Sequence, residues 1–238
     1  MKAFILASGL GTRLQPLTLE NPKTLIRVGG KELLARIADT LVQYNITNVV
    51  ITTGHLREKL EAFMNERYPQ LHVTYVNNPD YVTTNYLYSQ WLARESLADD
   101  DILTFHADLL FDPALVGRLL SSPYSCVLVQ EGEHPSAKDF NARVESGLVT
   151  EVRVKIQGPG VSFCAPLYKL NKEDFARWMH MIEQFVEEGK VKNYTEDAFN
   201  NMSPQFPLYP VFFKTKEICM EVDDFEDLEK AGELLTIA

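Results

Sequence analysis

The stretch Phe4-Ile5-Leu6-Ala7-Ser8-Gly9-Leu10-Gly11-Thr12-Arg13-Leu14-Gln15-Pro16-Leu17-Thr18, followed by Pro22-Lys23-Thr24-Leu25, decides the fold. Residues 3–7 form a short continuous apolar run that stops at glycine, the pattern of a strand buried on both faces of a parallel sheet. Glycines let the backbone approach an anion closely, and their N–H groups can cradle phosphate oxygens. Arg13 adds a fixed cationic fork to that loop. Lys23 adds a second cation after a proline that fixes the local backbone. The glycine spacing fits neither a P-loop nor a G-x-G-x-x-G fingerprint, so taken alone it reads as a tight turn as readily as an anion cradle.

Working outward, strand and helix patterns alternate through about residue 120. Leu33, Leu34, Ile37 and Leu41 fall at helical spacing over 31–44, and Val49 to Ile51 is a buried strand. Leu56, Leu60, Phe63 and Met64 mark a helix, and His72 to Val76 a strand. Tyr88, Trp91 and Leu92 lie on a helix opening near Thr84-Asn85, and Ile102 to His106 is the next strand. This alternation predicts an α/β protein with a Rossmann-like, mixed but mostly parallel sheet flanked by helices. The second half departs from it. Strands are expected at 124–130 and 161–168, and a hairpin over 141–154 turns at Ser146-Gly147. A long amphipathic helix carries Phe175, Met179, Ile182 and Val186. An edge or irregular strand at 206–213 contains Pro207 and Pro210, and a last helix runs over 225–235. With no repeat and no linker, one domain over 1–238 is expected: a nucleotide-binding half, 1–120, and an acceptor-binding half, 121–238.

The chain has 238 residues, and 33 Asp and Glu against 23 Lys and Arg give a net charge of -10. Such a surface repels phosphate backbones, which argues against nucleic acid or an anionic membrane as the main partner. No run approaches the ~18 apolar residues of a membrane span, and a cytoplasmic protein is expected. Cys126, Cys164 and Cys219 show no metal-ligand spacing and read as buried free thiols.

Two acidic positions stand out. Asp108 closes Thr104-Phe105-His106-Ala107-Asp108 at the carboxyl end of a predicted parallel strand, where open α/β sheets bind ligands. It can also be read as a helix-capping acid ahead of Pro113. Glu221 and Asp223 are two apart, so on a strand they share a face, whereas Asp224 reads as the cap of the last helix. Paired carboxylates of this kind suit a hard divalent cation.

The compound pattern at Gly9, Gly11, Thr12, Arg13, Leu14, Pro16, Leu17, Thr18, Pro22, Lys23 and Leu25 resembles the nucleotidyltransferases that activate sugar phosphates and related small phosphates. Within them the chain is similar to bacterial choline-phosphate cytidylyltransferases, through Asn85, Tyr88 and Ser89, Gly160-Val161-Ser162-Phe163, the surroundings of Tyr194, and Glu221-Val222-Asp223. The resemblance covers essentially the whole chain. It implies a nucleoside triphosphate over the glycine loop, with Arg13 near the β,γ-phosphates and Lys23 near the α-phosphate and the acceptor. It implies Mg2+ at Asp108 and Asp223, with Glu221 as a further ligand or substrate contact. Leu6, Ala7, Gly9, Gly11, Thr12, Thr53, Gly54, Asn85, Ser89 and Ala107 would border the nucleotide, although Thr53-Gly54 also fits an ordinary strand-ending turn.

For the acceptor, the choline enzymes carry tryptophans where this chain has Phe140 and near Thr195. Aromatic faces hold a quaternary ammonium; a primary ammonium wants acceptors for its three N–H groups. Lys138, Asp139, Glu196, Asp197 and Glu221 therefore point toward a primary amine such as 2-aminoethylphosphonate or phosphoethanolamine, with Lys138 on its anion. Tyr86, Phe140, Phe163, Tyr168 and Tyr194 keep phosphocholine open. The expected partners are CTP and a small phosphorylated or phosphonate amine, and a homodimer is an assembly this reading allows. Alternatives are a sugar-1-phosphate uridylyl- or thymidylyltransferase and a non-catalytic nucleotide-binding regulator on the same fold.

Overall fold

Alternation along the first strand sends Ala3 and Ile5 to one face of a sheet and Phe4 and Leu6 to the other, all buried. A computed structural model describes residues 1–237, without the side chains of Pro204 and Ile237. In chain order its strands are β1 (Lys2–Leu6), β2 (Arg27–Val28), β3 (Lys31–Glu32), β4 (Asn48–Thr53), β5 (His72–Asn77), β6 (Ile102–His106), β7 (Leu109–Phe111), β8 (Cys126–Gln130), β9 (Phe140–Glu145), β10 (Leu148–Val154), β11 (Val161–Leu170), β12 (Tyr209–Phe213) and β13 (Cys219–Glu221). The helices are α1 (Leu17–Glu20), α2 (Leu33–Gln43), α3 (Arg57–Arg67), α4 (Tyr86–Leu92), α5 (Arg94–Leu97), α6 (Pro113–Ser121), α7 (Lys172–Glu187), α8 (Thr195–Met202) and α9 (Phe225–Ile237).

The main sheet runs β10-β9-β11-β6-β1-β4-β5, with β8 beside β11 and β12 beside β8. Strands β6, β1, β4 and β5 are mutually parallel, as the alternating first half predicts. The second half turns on β11, which runs antiparallel to β6, β8 and β9. This mixed sheet carries an apolar layer on each face. Ile37, Leu41 and Leu60 pack beneath one, and Phe175, Trp178 and Ile182 of α7 beneath the other. Each such side chain contributes about 1.5–3 kcal/mol by leaving water. The three cysteines are buried and free.

Several elements differ in detail from expectation. Leu56 lies outside α3, in a left-handed conformation at its N-cap with φ 50°. On α7 the apolar stripe runs through Trp178 and Phe185, while Val186 is only half-buried. The strand containing Pro210 lies at the sheet edge, as expected, paired parallel with β8, and Pro207 falls before it. Helix α6 opens at Pro113 with Asp112, not Asp108, at its N-cap, and α8 carries no strong sequence signal. Among the described residues, no helix is long and apolar enough to cross a membrane.

Gly54 ends β4 against the first loop. A Cβ there would lie 2.6 Å from the Ser8 carbonyl oxygen and 2.9 Å from the Tyr81 side chain. Gly54→Ala is therefore expected to cost about 1–3 kcal/mol by overpacking. The denaturation midpoint should fall with an unchanged slope.

Candidate active site

The loop after β1 is shaped by Gly11, whose φ of 61° favours glycine and at which a Cβ would meet the Lys23 Cβ at 2.9 Å. Thr18 Oγ1 donates to the Gly11 carbonyl at 2.9 Å and fastens the loop. Lys23 opens the 3-10 turn Lys23–Leu25, directly over it. The carboxylates arrive from far apart in the chain. Strand β7 pairs antiparallel with β13, in the register Leu109↔Glu221, and the Val222 N–H donates to the Asp108 carbonyl at 3.0 Å. This pairing sets Asp108, Glu221 and Asp223 so that one oxygen from each lies within 4.8 Å of the others. Glu221 ends the strand and Asp223 lies past it, so their convergence comes from the turn rather than from strand alternation. Asp224 caps α9 as expected, accepting from the Asp227 N–H at 3.0 Å.

Lys23 Nζ donates to Asp108 Oδ2 at 2.6 Å and to Asp223 Oδ1. Arg13 Nη2 donates to Asp223 Oδ2 at 2.7 Å. Burial disfavours the Lys23 ammonium, but Asp108 and Asp223 outweigh it and raise its pKa. Burial likewise works against the Asp108 carboxylate, and Lys23 overcomes it, holding the group below its ordinary value. Glu221 has no such partner: burial, then repulsion from Asp108 and Asp223, pushes its pKa well up. Asp108 Oδ1 and Glu221 Oε1 are buried without a hydrogen-bond partner. Orphaned oxygens beside a third carboxylate are the donor set a hard divalent cation takes.

Two cavities meet at these acids. The first, about 300 Å³, is lined by Leu6, Ala7, Gly9, Gly11, Thr12, Arg13, Lys23, Asn85, Ser89, Ala107, Asp108 and Asp223, all expected at the site. It also holds Ser8, Thr24, Asn78, Tyr81, Thr84 and His106, which sequence reasoning did not assign there. Asn78 Nδ2 donates to Ser89 Oγ at 2.9 Å and to Thr84 Oγ1 at 3.0 Å, linking the end of β5 to the start of α4. A polar Asn-Asn pair closing a parallel strand was the available signal. Thr53 and Gly54 do not line this cavity: Thr53 is fully buried and Gly54 shapes the wall through Ser8 and Tyr81.

The second cavity, about 440 Å³, shares Arg13, Tyr86, His106, Asp108 and Asp223 with the first and adds Lys138, Asp139, Phe140, Val154, Lys155, Tyr194 and Glu221. The Tyr86 ring stands 4.6 Å from His106 and 5.5 Å from Tyr194, and Phe140 meets Tyr194 edge-on at 5.2 Å. Lys138 donates to Asp227 at 2.6 Å and Asp224 at 3.0 Å, so its charge is already paired. Lys155, which the sequence reading passed over, lines the cavity with no hydrogen-bond or ion-pair partner among the described residues, on a backbone held at φ 65°.

Three expected acceptor residues lie elsewhere. Alternation along β11 turns Phe163 into the core against Phe213, facing a different cavity. Asp197 caps α8, accepting from the Tyr194 N–H at 3.0 Å and from Asn193 at 2.9 Å. Glu196 is buried behind Tyr86 and Tyr168 rather than on the wall.

Known proteins resemble this chain in sequence and in fold. A 2-aminoethylphosphonate cytidylyltransferase of Lancefieldella rimae is 34% identical over 237 residues, 98% of this chain and 89% of that protein. A CMP-5'-(3-aminopropyl)phosphonate synthase of Streptomyces rubellomurinus is 39% identical over 123 residues, 52% of this chain and 19% of the relative. A choline-phosphate cytidylyltransferase of Streptococcus pneumoniae is 38% identical over 103 residues, 43% of each. The chain thus matches under half the length of these last two relatives. Among solved structures, the CTP:phosphocholine cytidylyltransferase of Streptococcus pneumoniae superposes with a TM-score of 0.81 over 98% of both chains at 23% identity. The inositol-1-phosphate CTP transferase of T. maritima gives 0.81 at 18% identity, covering 99% of this chain and 94% of that one. Both show the shared fold. With the MobA-like NTP transferase domain matching residues 3–222, the chain belongs to that nucleotidyltransferase family.

Proposed function

We propose that the protein transfers the cytidylyl group of CTP to the phosphate or phosphonate oxygen of a small amine, releasing pyrophosphate. The observation that carries this reading is the meeting of Lys23, Arg13 and three carboxylates where the two cavities join. In the reaction the acceptor oxygen forms a bond to the α-phosphorus in line with the bond that breaks to pyrophosphate. The acceptor oxygen is already anionic near neutral pH, so no residue need take a proton. Residues 1–120 would hold the nucleotide and 121–238 the acceptor.

Lys23 would move from its carboxylates to the α-phosphate, and Arg13 would face the departing β,γ-phosphates. Both act by position and charge. Asp108, Asp223 and Glu221 would hold Mg2+, which when bound neutralises phosphate charge. Lys155 is the cation left free for the acceptor's anion. Strain in a left-handed lysine is the kind of cost retained at functional sites. Lys155→Ala is expected to raise the acceptor KM about tenfold with the CTP KM unchanged, as for a lost charge-assisted contact. Lys155→Gly should lose the same binding yet gain stability, because glycine accepts the backbone geometry.

A primary amine such as 2-aminoethylphosphonate fits best. Carboxylates adjoin the aromatic wall, and the resemblance sets Phe140 where the choline enzymes carry one tryptophan, with no counterpart near Thr195 to their other. The rings of Tyr86, Tyr194 and Phe140 favour phosphocholine as the second acceptor. Pyrophosphate release with CTP, measured against 2-aminoethylphosphonate, phosphoethanolamine and phosphocholine in parallel, tests the reading. Release only with UTP or dTTP and a sugar 1-phosphate would overturn it.

A further inference from the structure

Glu196 stands in the first turn of α8 and is 1% exposed. Its hydrogen bonds all come from neutral hydroxyls. Tyr86 Oη donates to Oε2 at 2.5 Å, Tyr168 Oη to Oε1 at 2.9 Å, and Thr195 Oγ1 to Oε2 at 3.3 Å. No lysine, arginine or histidine pairs with it among the described residues. A carboxylate taken out of water without a counter-ion is costly. Tethering two phenols does not require that charge, since glutamine has the same shape.

The charge reaches its neighbours. Burial first, and Glu196 next, push the phenol pKa values of Tyr86 and Tyr168 well above ordinary. Tyr86 is the link outward, because its ring lines both cavities. Glu196 therefore lies one phenol behind a wall formed by Tyr86, Tyr194 and Phe140. An aromatic face attracts a cation. An anion fixed behind that face, away from water, adds a Coulomb attraction that salt screens little. The counter-ion that the folded chain lacks is one the substrate brings.

We propose that Glu196 is the buried counter-ion of the acceptor's ammonium, a positioning residue that acts through Tyr86 and sets a preference for cationic acceptors over neutral ones of the same shape. This rests on the transfer reading above and deepens it. The full chain and Glu196→Gln are compared by calorimetry for binding 2-aminoethylphosphonate and propylphosphonate, which has a methyl group in place of the amine. The variant should bind the amine about tenfold more weakly, the scale of one partly screened charge. Its affinity for propylphosphonate should stay within about twofold. Glu196→Asp, which keeps the charge, should keep the preference. An equal loss for both ligands, or no loss for the amine, overturns the proposal.

Should Glu196→Gln fail to fold, the wild type decides. Its preference for the amine should survive about 0.5 M salt, because a buried charge escapes screening. A preference that vanishes there belongs to surface acids and overturns the role of Glu196. Wild-type protein that binds the amine selectively yet releases no pyrophosphate from CTP would overturn the transfer reading while leaving the Glu196 assignment supported.

Discussion

Lys23→Ala is expected to lower pyrophosphate release by at least about a thousandfold, the scale of losing a fixed charge at a reacting centre, and yet to bind Mn2+ no more weakly than the wild type. The two effects point in opposite directions because Lys23 would occupy two roles in turn in the proposed reaction. In the free protein its ammonium bridges Asp108 and Asp223, the carboxylates a divalent cation would also claim. Its removal frees those oxygens for metal but leaves the transferred phosphate without its nearest cation. Without divalent metal the variant should be less stable by about 3–5 kcal/mol, since Asp108 then sits beside Asp223 and Glu221 with no cation of its own, Arg13 pairing only with Asp223. Added Mn2+ should return most of that loss. Turnover near the wild-type level, or metal binding that falls with turnover, would remove Lys23 from the reaction.

Asp108→Asn and Asp223→Asn form the second large prediction, with the opposite signature. A rise in Tm with Mn2+ or Mg2+ is expected of the wild type; each variant should abolish it and cut turnover by about a thousandfold or more, in line with the several kcal/mol a metal Lewis acid would supply. Each also leaves Lys23 one carboxylate, so the variants remain folded without metal. A full metal-induced shift in either variant would place the cation elsewhere.

Much of this arrangement is legible in the sequence because its signals are local. The apolar run into Gly9, the strand that leads to Asp108 and the cap at Asp224 each show themselves within a few residues. What brings Asp108 to Glu221 and Asp223 is not local. The β7–β13 pairing joins short segments more than a hundred residues apart, and neither carries a pattern naming the other as partner. The residues that lie off the cavity wall are hard to place for a related reason. Asp197 and Glu196 are adjacent acids with unlike fates, because one caps a helix at the surface while the next side chain around that helix points inward. Phe163 follows the alternation of a strand whose orientation is set only by its neighbours.

That strand, β11, binds both halves of the site into one piece. Residues 167–170 hydrogen-bond along β6, whose end leads to Asp108, and residues 161–163 along β9, which begins at Phe140. In the proposed reaction this single continuous backbone would work as a ruler between the two substrates, setting the gap from attacking oxygen to phosphorus by covalent geometry. The hairpin and helix at its far end can change with the chemistry of the acceptor while the graduation along the ruler stays the same. A chain built this way could exchange its acceptor wall without altering the distance over which it would transfer.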